Sequence, residues 1–243
     1  MNNNPASLAL NDTPPPASLK RTFVVSTLIA GLLSIASAWV FLQLPDNARI
    51  PMHWNFHGQV DGYGSRAAVF FMPGVVLAVS LLLFLLPWLE PRRGNLLRSA
   101  SAYRWVWLGI VTFLSGLHAL MLATALGHHV VLHQWVISGF GLLLMVMGNF
   151  LGKVRSNFVF GVRTPWTLSS DLAWNRTHRL AGWSFVACGL IVAICAWLMP
   201  DRAFVVVVAA IVVASLVPTI FSYFVWRNDP QRRARSDSNH PAV

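Results

Sequence analysis

Six apolar runs, each about 20 residues long, divide this 243-residue chain: about 22–44, 67–89, 105–126, 130–151, 180–199 and 203–226. A bilayer core of roughly 30 Å takes about that many helical residues to cross. Only helices and closed barrels satisfy their own backbone hydrogen bonds there. The expected fold class is therefore an all-α membrane protein with six transmembrane helices. At 56% hydrophobic and 11% charged residues, the chain is too apolar for a soluble domain of its size.

Charge placement supports the same count. With both termini cytoplasmic, the inner segments hold Lys20, Arg21, Arg92, Arg93, Arg98, Arg104, Lys153, Arg155, Arg163, Arg176, Arg179, Arg227, Arg232, Arg233 and Arg235, and the outer ones only Arg49, Arg66 and Arg202. That asymmetry is the positive-inside pattern, and adding or losing one span would scramble it. Basic inner loops beside anionic headgroups of membrane lipids account for the net charge of +10 without direct nucleic acid binding. Four regions follow: a cytoplasmic tail, 1–21; spans one and two with their loops, 22–104; spans three to six, 105–226; and a basic cytoplasmic tail, 227–243. The Asn- and Pro-rich residues 1–19 and the polar residues 227–243 read as disordered.

Lys20-Arg21, an apolar run and Ala36-Ser37-Ala38 imitate a cleavable signal peptide. The run continues through Trp39-Val40-Phe41-Leu42, which makes it a full span. Cys188 and Cys195 are seven apart on one helix, roughly 10 Å along its axis, too far for a disulfide, and read as packing residues. No Cys-x-x-Cys, Gly-x-Ser-x-Gly, Walker or His-Glu-x-x-His pattern occurs. No catalytic, cofactor-binding or metal-binding residue is assigned, and the chain is expected not to be an enzyme.

The outer connector, 45–66, carries three Gly, two Pro and alternating aromatic and polar residues. Gly62 and Gly64 allow positive φ, and Asp61-Gly62 is a turn signal, so a compact loop or short hairpin is expected. It reads either as a lid with Trp54, Phe56 and Tyr63 in the aromatic belt, or as a ligand-contacting surface built on Pro51, His53, Asn55, Gly58, Asp61 and Gly62. His53, His57, His128, His129 and His133 collect on this side without a set of ligands at fixed spacing. His118, in mid-span, needs a buried hydrogen bond or serves a proton relay.

The inner connector, in the segment 149–182, is denser: five basic residues, two Trp and a run of turn formers. Asn149 ends the fourth span, and Lys153 and Arg155 follow at headgroup level. Gly161 frees the backbone and Pro165 pushes Thr164 out of the helical region. Thr167, Ser169 or Ser170 can cap the next helix, with Asp171 in its first turn. Trp174, Thr177, His178 and Ala181 then share one face. This elbow, 152–179, is expected to run partly in the interface before turning into the fifth span. It serves either as an anchored elbow or as a recognition surface.

Gly148-Asn149, Lys153, Asn157, Gly161-Val162-Arg163-Thr164-Pro165-Trp166-Thr167-Leu168, Trp174 and Thr177-His178-Arg179 together resemble the signature of the SdpI family of bacterial membrane proteins. Leu44-Pro45, Ile50-Pro51-Met52-His53-Trp54-Asn55, Gly58 and Val60-Asp61-Gly62-Tyr63-Gly64 resemble the short domain of unknown function, DUF1648, that precedes it in many members. The resemblance implies a bacterial inner-membrane protein. It also implies immunity to a secreted peptide toxin, signalling to a cytoplasmic transcriptional repressor, or both. Carried over, Arg163, Thr164, Pro165, Trp166, Thr167 and Trp174 would form the inner signalling or structural core and the outer loop would face the toxin. The rivals are a small transporter or channel, for which His118, Asn149 and Gln43 are sparse, and a membrane-embedded metal-dependent enzyme, for which His53, His57 and Asp61 are the only candidate set.

Overall fold

The computed structural model describes residues 17–55 and 59–232. Its elements are α1 (Ala17–Gln43), the strands β1 (Arg49–Trp54) and β2 (Val60–Ser65), a 3-10 turn (Arg66–Phe70), α2 (Phe71–Leu89), the short α3 (Arg93–Arg98), α4 (Ala100–Ala125), α5 (Leu132–Leu151), the one-turn α6 (Pro165–Ser169), α7 (Asp171–Leu198), a 3-10 turn (Pro200–Arg202) and α8 (Ala203–Arg227). Six helices are long and apolar enough to cross a membrane: α1, α2, α4, α5, α7 and α8.

Their faces are inverted relative to a soluble bundle. On α1 the buried positions are Leu19, Thr22, Ser26, Ala30, Ser37 and Val40, whereas Leu28, Leu32, Ile35 and Leu42 are exposed. On α8, Ala203, Ala210, Ala214, Pro218 and Ser222 turn inward, and Val205, Leu216 and Ile220 turn out. Lipid is as apolar as leucine, so burying a large side chain gains little there; small residues that let helices approach gain more.

The spans form two three-helix groups, α1 with α2 and α4, and α5 with α7 and α8, joined where α4 packs on α5. The α5–α7 crossing is the closest. A Cβ on Gly148 would lie 2.6 Å from the Gly182 carbonyl, and one on Gly182 would lie 2.7 Å from the Gly148 carbonyl. Gly141 and Gly189 meet in the same way, Gly141 at 2.6 Å. Both pairs are seven residues apart on their helices, so two turns of backbone lie in contact.

At one end of the bundle, β1 and β2 form an antiparallel hairpin with Ile50 opposite Gly64 and His53 opposite Gly62. Ile50 anchors it against Val40, Val69, Met121 and Leu122. The hairpin expected for the outer connector is present, but its glycines act differently from their expected role. Gly62 and Gly64 lie within β2 and neither has positive φ. A Cβ on Gly62 would lie 2.9 Å from the His53 Cβ, and one on Gly64 would lie 2.8 Å from the Ala68 Cβ. Close approach is what requires glycine there. The strands are joined earlier in the chain than Asp61-Gly62, where Asn55 Oδ1 accepts the Gln59 N–H at 3.0 Å. His57 and Gly58 lie outside the described residues.

Two tail expectations are corrected. Helix α1 already includes Ala17–Arg21, with Leu19 buried against Tyr103 and Trp107 in the core. At the other terminus Asp229 is buried and bonded to Ser170, so residues 227–232 are ordered. His118 is buried and pairs through Nε2 with Ser37 Oγ at 3.1 Å, while Ser37 donates to the Val69 carbonyl at 2.8 Å. One hydroxyl thus ties α1, the 3-10 turn and α4 together.

Candidate functional site

The elbow between α5 and α7 occupies the other end of the bundle, and side-chain bonds hold it where backbone ladders cannot. Asn157, fully buried, organises its first turn. Its Oδ1 accepts the Val159 and Phe160 N–H groups at 2.8 and 2.9 Å, and its Nδ2 donates to the Arg155 carbonyl at 2.8 Å. An Asn side chain here imitates a turn of backbone.

Gly161 follows at φ +116°, a conformation that favours glycine, and a Cβ there would run into the His178 ring. The contact is functional for the chain path: the Val162 N–H donates to His178 Nε2 at 3.0 Å. His178 Nδ1 lies 2.8 Å from the Trp174 carbonyl. A carbonyl only accepts and an N–H only donates, so the ring is neutral with its proton on Nδ1. Trp174 stacks on that imidazole at 3.9 Å between centroids and donates from Nε1 to the Val154 carbonyl at 2.7 Å. Both rings are buried.

Thr164 then caps α6. Its Oγ1 accepts the Thr167 N–H at 3.2 Å, the Thr167 Oγ1 accepts the Thr164 N–H at 2.9 Å, and Pro165 stands in the first turn. This reciprocal box satisfies two otherwise orphaned donors. Thr167 also donates to the Val162 carbonyl at 2.8 Å, and Thr164 Oγ1 reaches Ser222 of α8 at 3.2 Å. Trp166 packs edge-on against Tyr223 of α8 at 5.4 Å. Of the three candidates for the cap of the next helix, Ser170 takes the role: its Oγ accepts the Ala173 N–H at 3.0 Å and donates to Asp229 at 2.5 Å.

From this cap, α7 runs unbroken to Leu198, which corrects the expectation of an interfacial helix that turns into the fifth span. Trp174, Thr177, His178 and Ala181 do share its buried face. That face is committed to the elbow and to α5, so it has no reason to lie flat on the membrane.

The expected inner residues divide sharply. Asn157, Gly161, Thr164, Trp166, Thr167, Trp174 and His178 converge on the elbow frame. Thr177 is buried in the same helix face, with no hydrogen-bond partner for its hydroxyl among the described residues. Asn149 and Lys153 are exposed, Lys153 resting over the Phe150 ring at 5.0 Å. Pro165 is exposed. Arg163 is exposed too, and donates to the Phe158 carbonyl at 2.5 Å. On the opposite end, His53 Nδ1 meets Asp61 Oδ1 at 2.5 Å across the hairpin, and Pro51 is buried. Among the described residues no group of three His, Cys, Asp or Glu is placed to hold a metal ion.

Sequence reasoning missed the partners that clamp the elbow from α2 and α3. Glu90, buried, accepts the Arg92 N–H at 2.8 Å and the Phe158 N–H at 2.9 Å. Arg92 donates to Ser156 Oγ and, at 3.0 Å, to the Leu168 carbonyl, with its guanidinium 4.9 Å from the Phe158 ring. Asn95 donates to the Ser156 carbonyl at 2.9 Å, and Ser99 Oγ accepts the Arg155 N–H at 2.9 Å. A signal existed: Glu90 is an acid at the end of an apolar run that faces a markedly basic loop.

The elbow's lower side is thus tied to α2, α3, α4, α7 and α8, while Phe158, Arg163 and Pro165 are exposed, with Arg163 at the rim of the cavity beneath. Such a tip is a rigid surface with an aromatic and a guanidinium group, both suited to contact.

Residues 153–222 match the SdpI/YfhL protein family, and residues 28–77 match a domain of unknown function, DUF1648. Over 204 residues the chain is 24% identical to Immunity protein SdpI of Bacillus subtilis (strain 168), covering 84% of this chain and 95% of that protein. No solved structure matches. The DUF1648 match contains the hairpin, and the SdpI/YfhL match contains the elbow from residue 153 onward. The chain is a multi-pass membrane protein in which a stretch similar to DUF1648 precedes one similar to the SdpI/YfhL family.

Proposed function

We propose that this protein confers immunity to a secreted peptide toxin without catalysis, in the bacterial inner membrane, and that its elbow docks a cytoplasmic repressor. The carrying observation is the contrast within the elbow, where a fully bonded frame holds Phe158, Arg163 and Pro165 exposed. The similarity to Immunity protein SdpI supports the first half of the reading. The charge asymmetry supports an elbow in the cytoplasm and a hairpin outside.

Orientation is tested by cysteine accessibility at two exposed positions, Ser65 beside the hairpin and Ser169 in the elbow. An impermeant maleimide is expected to label Ser65→Cys in intact cells and Ser169→Cys only after lysis. The reverse pattern would overturn the orientation.

Function is tested in Bacillus subtilis lacking its own Immunity protein SdpI and challenged with the toxin against which that protein protects. The full chain is expected to restore growth. Phe158→Ala with Arg163→Ala is expected to insert normally yet lose repressor recruitment to the membrane, because the buried bonds of Asn157, Thr164, Thr167 and His178 use neither side chain, and only the ring against Arg92 and the Arg163 bond to the Phe158 carbonyl are given up. A chain that inserts and gives no protection defeats the immunity reading; a double variant that recruits repressor fully defeats the docking surface.

A further inference from the structure

Between the two helix groups, under the elbow, lies a cavity of about 440 Å³ whose walls include Leu83, Trp107, Met147, Phe160, Phe185 and Ala214. Its volume falls within the usual range for small-ligand pockets. Three features make it more than a packing gap. Trp107 is 1% exposed, and its indole N–H has no hydrogen-bond partner among the described residues. A buried donor left unpaired is costly, and a bound acceptor would relieve it. The hydroxyl of the neighbouring Tyr103 spends its proton on the Leu83 carbonyl at 2.6 Å, so it offers a bound acceptor no donor of its own.

The charge on the lining is one-sided. Arg163 lines the cavity, and no Asp or Glu does. Its bond to the Phe158 carbonyl uses one part of the guanidinium, leaving donors in a fork suited to a carboxylate or phosphate. An apolar space, a buried lone donor and a cation at its rim together describe an amphiphile.

We infer that this cavity binds the acyl chain of an anionic lipid, with an ester or acid oxygen on the Trp107 N–H and the anionic head held by Arg163. The chemistry is shared by a free fatty acid and by a phospholipid of the surrounding bilayer. It goes beyond the immunity reading and does not depend on it: the cavity would hold its lipid whether or not a repressor docks on the elbow.

The test uses the full chain in phosphatidylcholine vesicles with a diazirine-bearing oleate, and maps cross-links by mass spectrometry. Labelling is expected to concentrate on Trp107, Phe160 and their neighbours over lipid-facing residues such as Leu32 and Trp183. Competition by unlabelled oleate alone identifies the free acid; competition by phosphatidylglycerol identifies the membrane lipid. Trp107→Phe, which keeps an aromatic ring and removes the N–H, is expected to lower cavity labelling about fivefold, the worth of one hydrogen bond. Arg163→Gln should lower it further, and Ala214→Phe should block it by filling the space. Thermal melting checks that each variant is folded; should Ala214→Phe fail to fold, Trp107→Phe carries the test. Uniform labelling of lipid-facing residues, failure of both competitors, or an unchanged signal in folded Trp107→Phe would overturn the proposal.

Discussion

Gly182→Leu is expected to prevent α5 and α7 from closing, lowering the yield of folded protein and the melting temperature of what remains by about 10 °C or more. At 2.7 Å from the Gly148 carbonyl, even a methyl group demands that one helix move. A leucine adds three further carbons at a place with no side chain to displace, since the opposing atoms are backbone. Overpacking costs of order 1–3 kcal/mol per site where neighbours can adjust, and more is expected here. A chain of this size loses about 2–4 °C per kcal/mol. Gly148→Leu should behave alike, its Cβ meeting the Gly182 carbonyl at 2.6 Å and the Phe185 Cβ at 2.8 Å. The internal control is Gly31→Ala in α1, where a Cβ meets nothing within 4 Å. It should be neutral or stabilising by up to about 1 kcal/mol, the helix-propensity difference. Thermal melts in one detergent compare all three. Equal melting temperatures for Gly182→Leu and Gly31→Ala would refute the backbone-contact crossing.

That contrast also explains why so much of the packing was hidden in the sequence. Gly31 and Gly182 both sit in apolar runs and are indistinguishable by composition, yet one faces open space and the other a carbonyl oxygen. The spans themselves were legible, because the hydrocarbon core imposes a length and an apolar character on each crossing segment regardless of its partners. The elbow's buried face was legible too: Trp174, Thr177, His178 and Ala181 recur at helical spacing. What that face touches was not, since the spacing of Trp174 and His178 carries no trace of the Val154 carbonyl or the Val162 N–H.

Arg163 stands apart from the elbow frame. Within the Gly-Val-Arg-Thr-Pro-Trp-Thr stretch it was expected to belong to an inner signalling or structural core; its neighbours Thr164 and Thr167 do the capping, and it stands outside their frame, exposed. A charged side chain is costly to bury without a matched partner, and the available acid, Glu90, is taken by the Arg92 and Phe158 backbone. Asp229 was lost for a simpler reason: a polar terminus reads as tail until the three-dimensional path brings it beside Ser170.

Asn157→Ala is expected to release the elbow while leaving the six spans intact. The substitution deletes the acceptor for two N–H groups and the donor to the Arg155 carbonyl together, in a residue with no exposure to replacement by water. Each lost bond is worth about 1 kcal/mol, so local opening should be favoured by a few kcal/mol. At about 1.4 kcal/mol per factor of ten, amide hydrogen exchange at Val159 and Phe160 should accelerate about 100-fold. Gly161→Ala attacks the same turn from its other side, through its positive φ and through the His178 ring. It should therefore also accelerate exchange at Val162, whose N–H depends on that ring. Exchange in the middle of α4 and α7 should stay at parental rates, because local opening of a loop does not require the spans to separate. The docking proposed for the elbow should fail in both variants, although Phe158, Arg163 and Pro165 remain chemically unaltered. Parental exchange rates at Val159, Phe160 and Val162 in both variants would show that the frame does not depend on Asn157 and Gly161. Uniform acceleration through α4 and α7 would show that the elbow holds the two helix groups together.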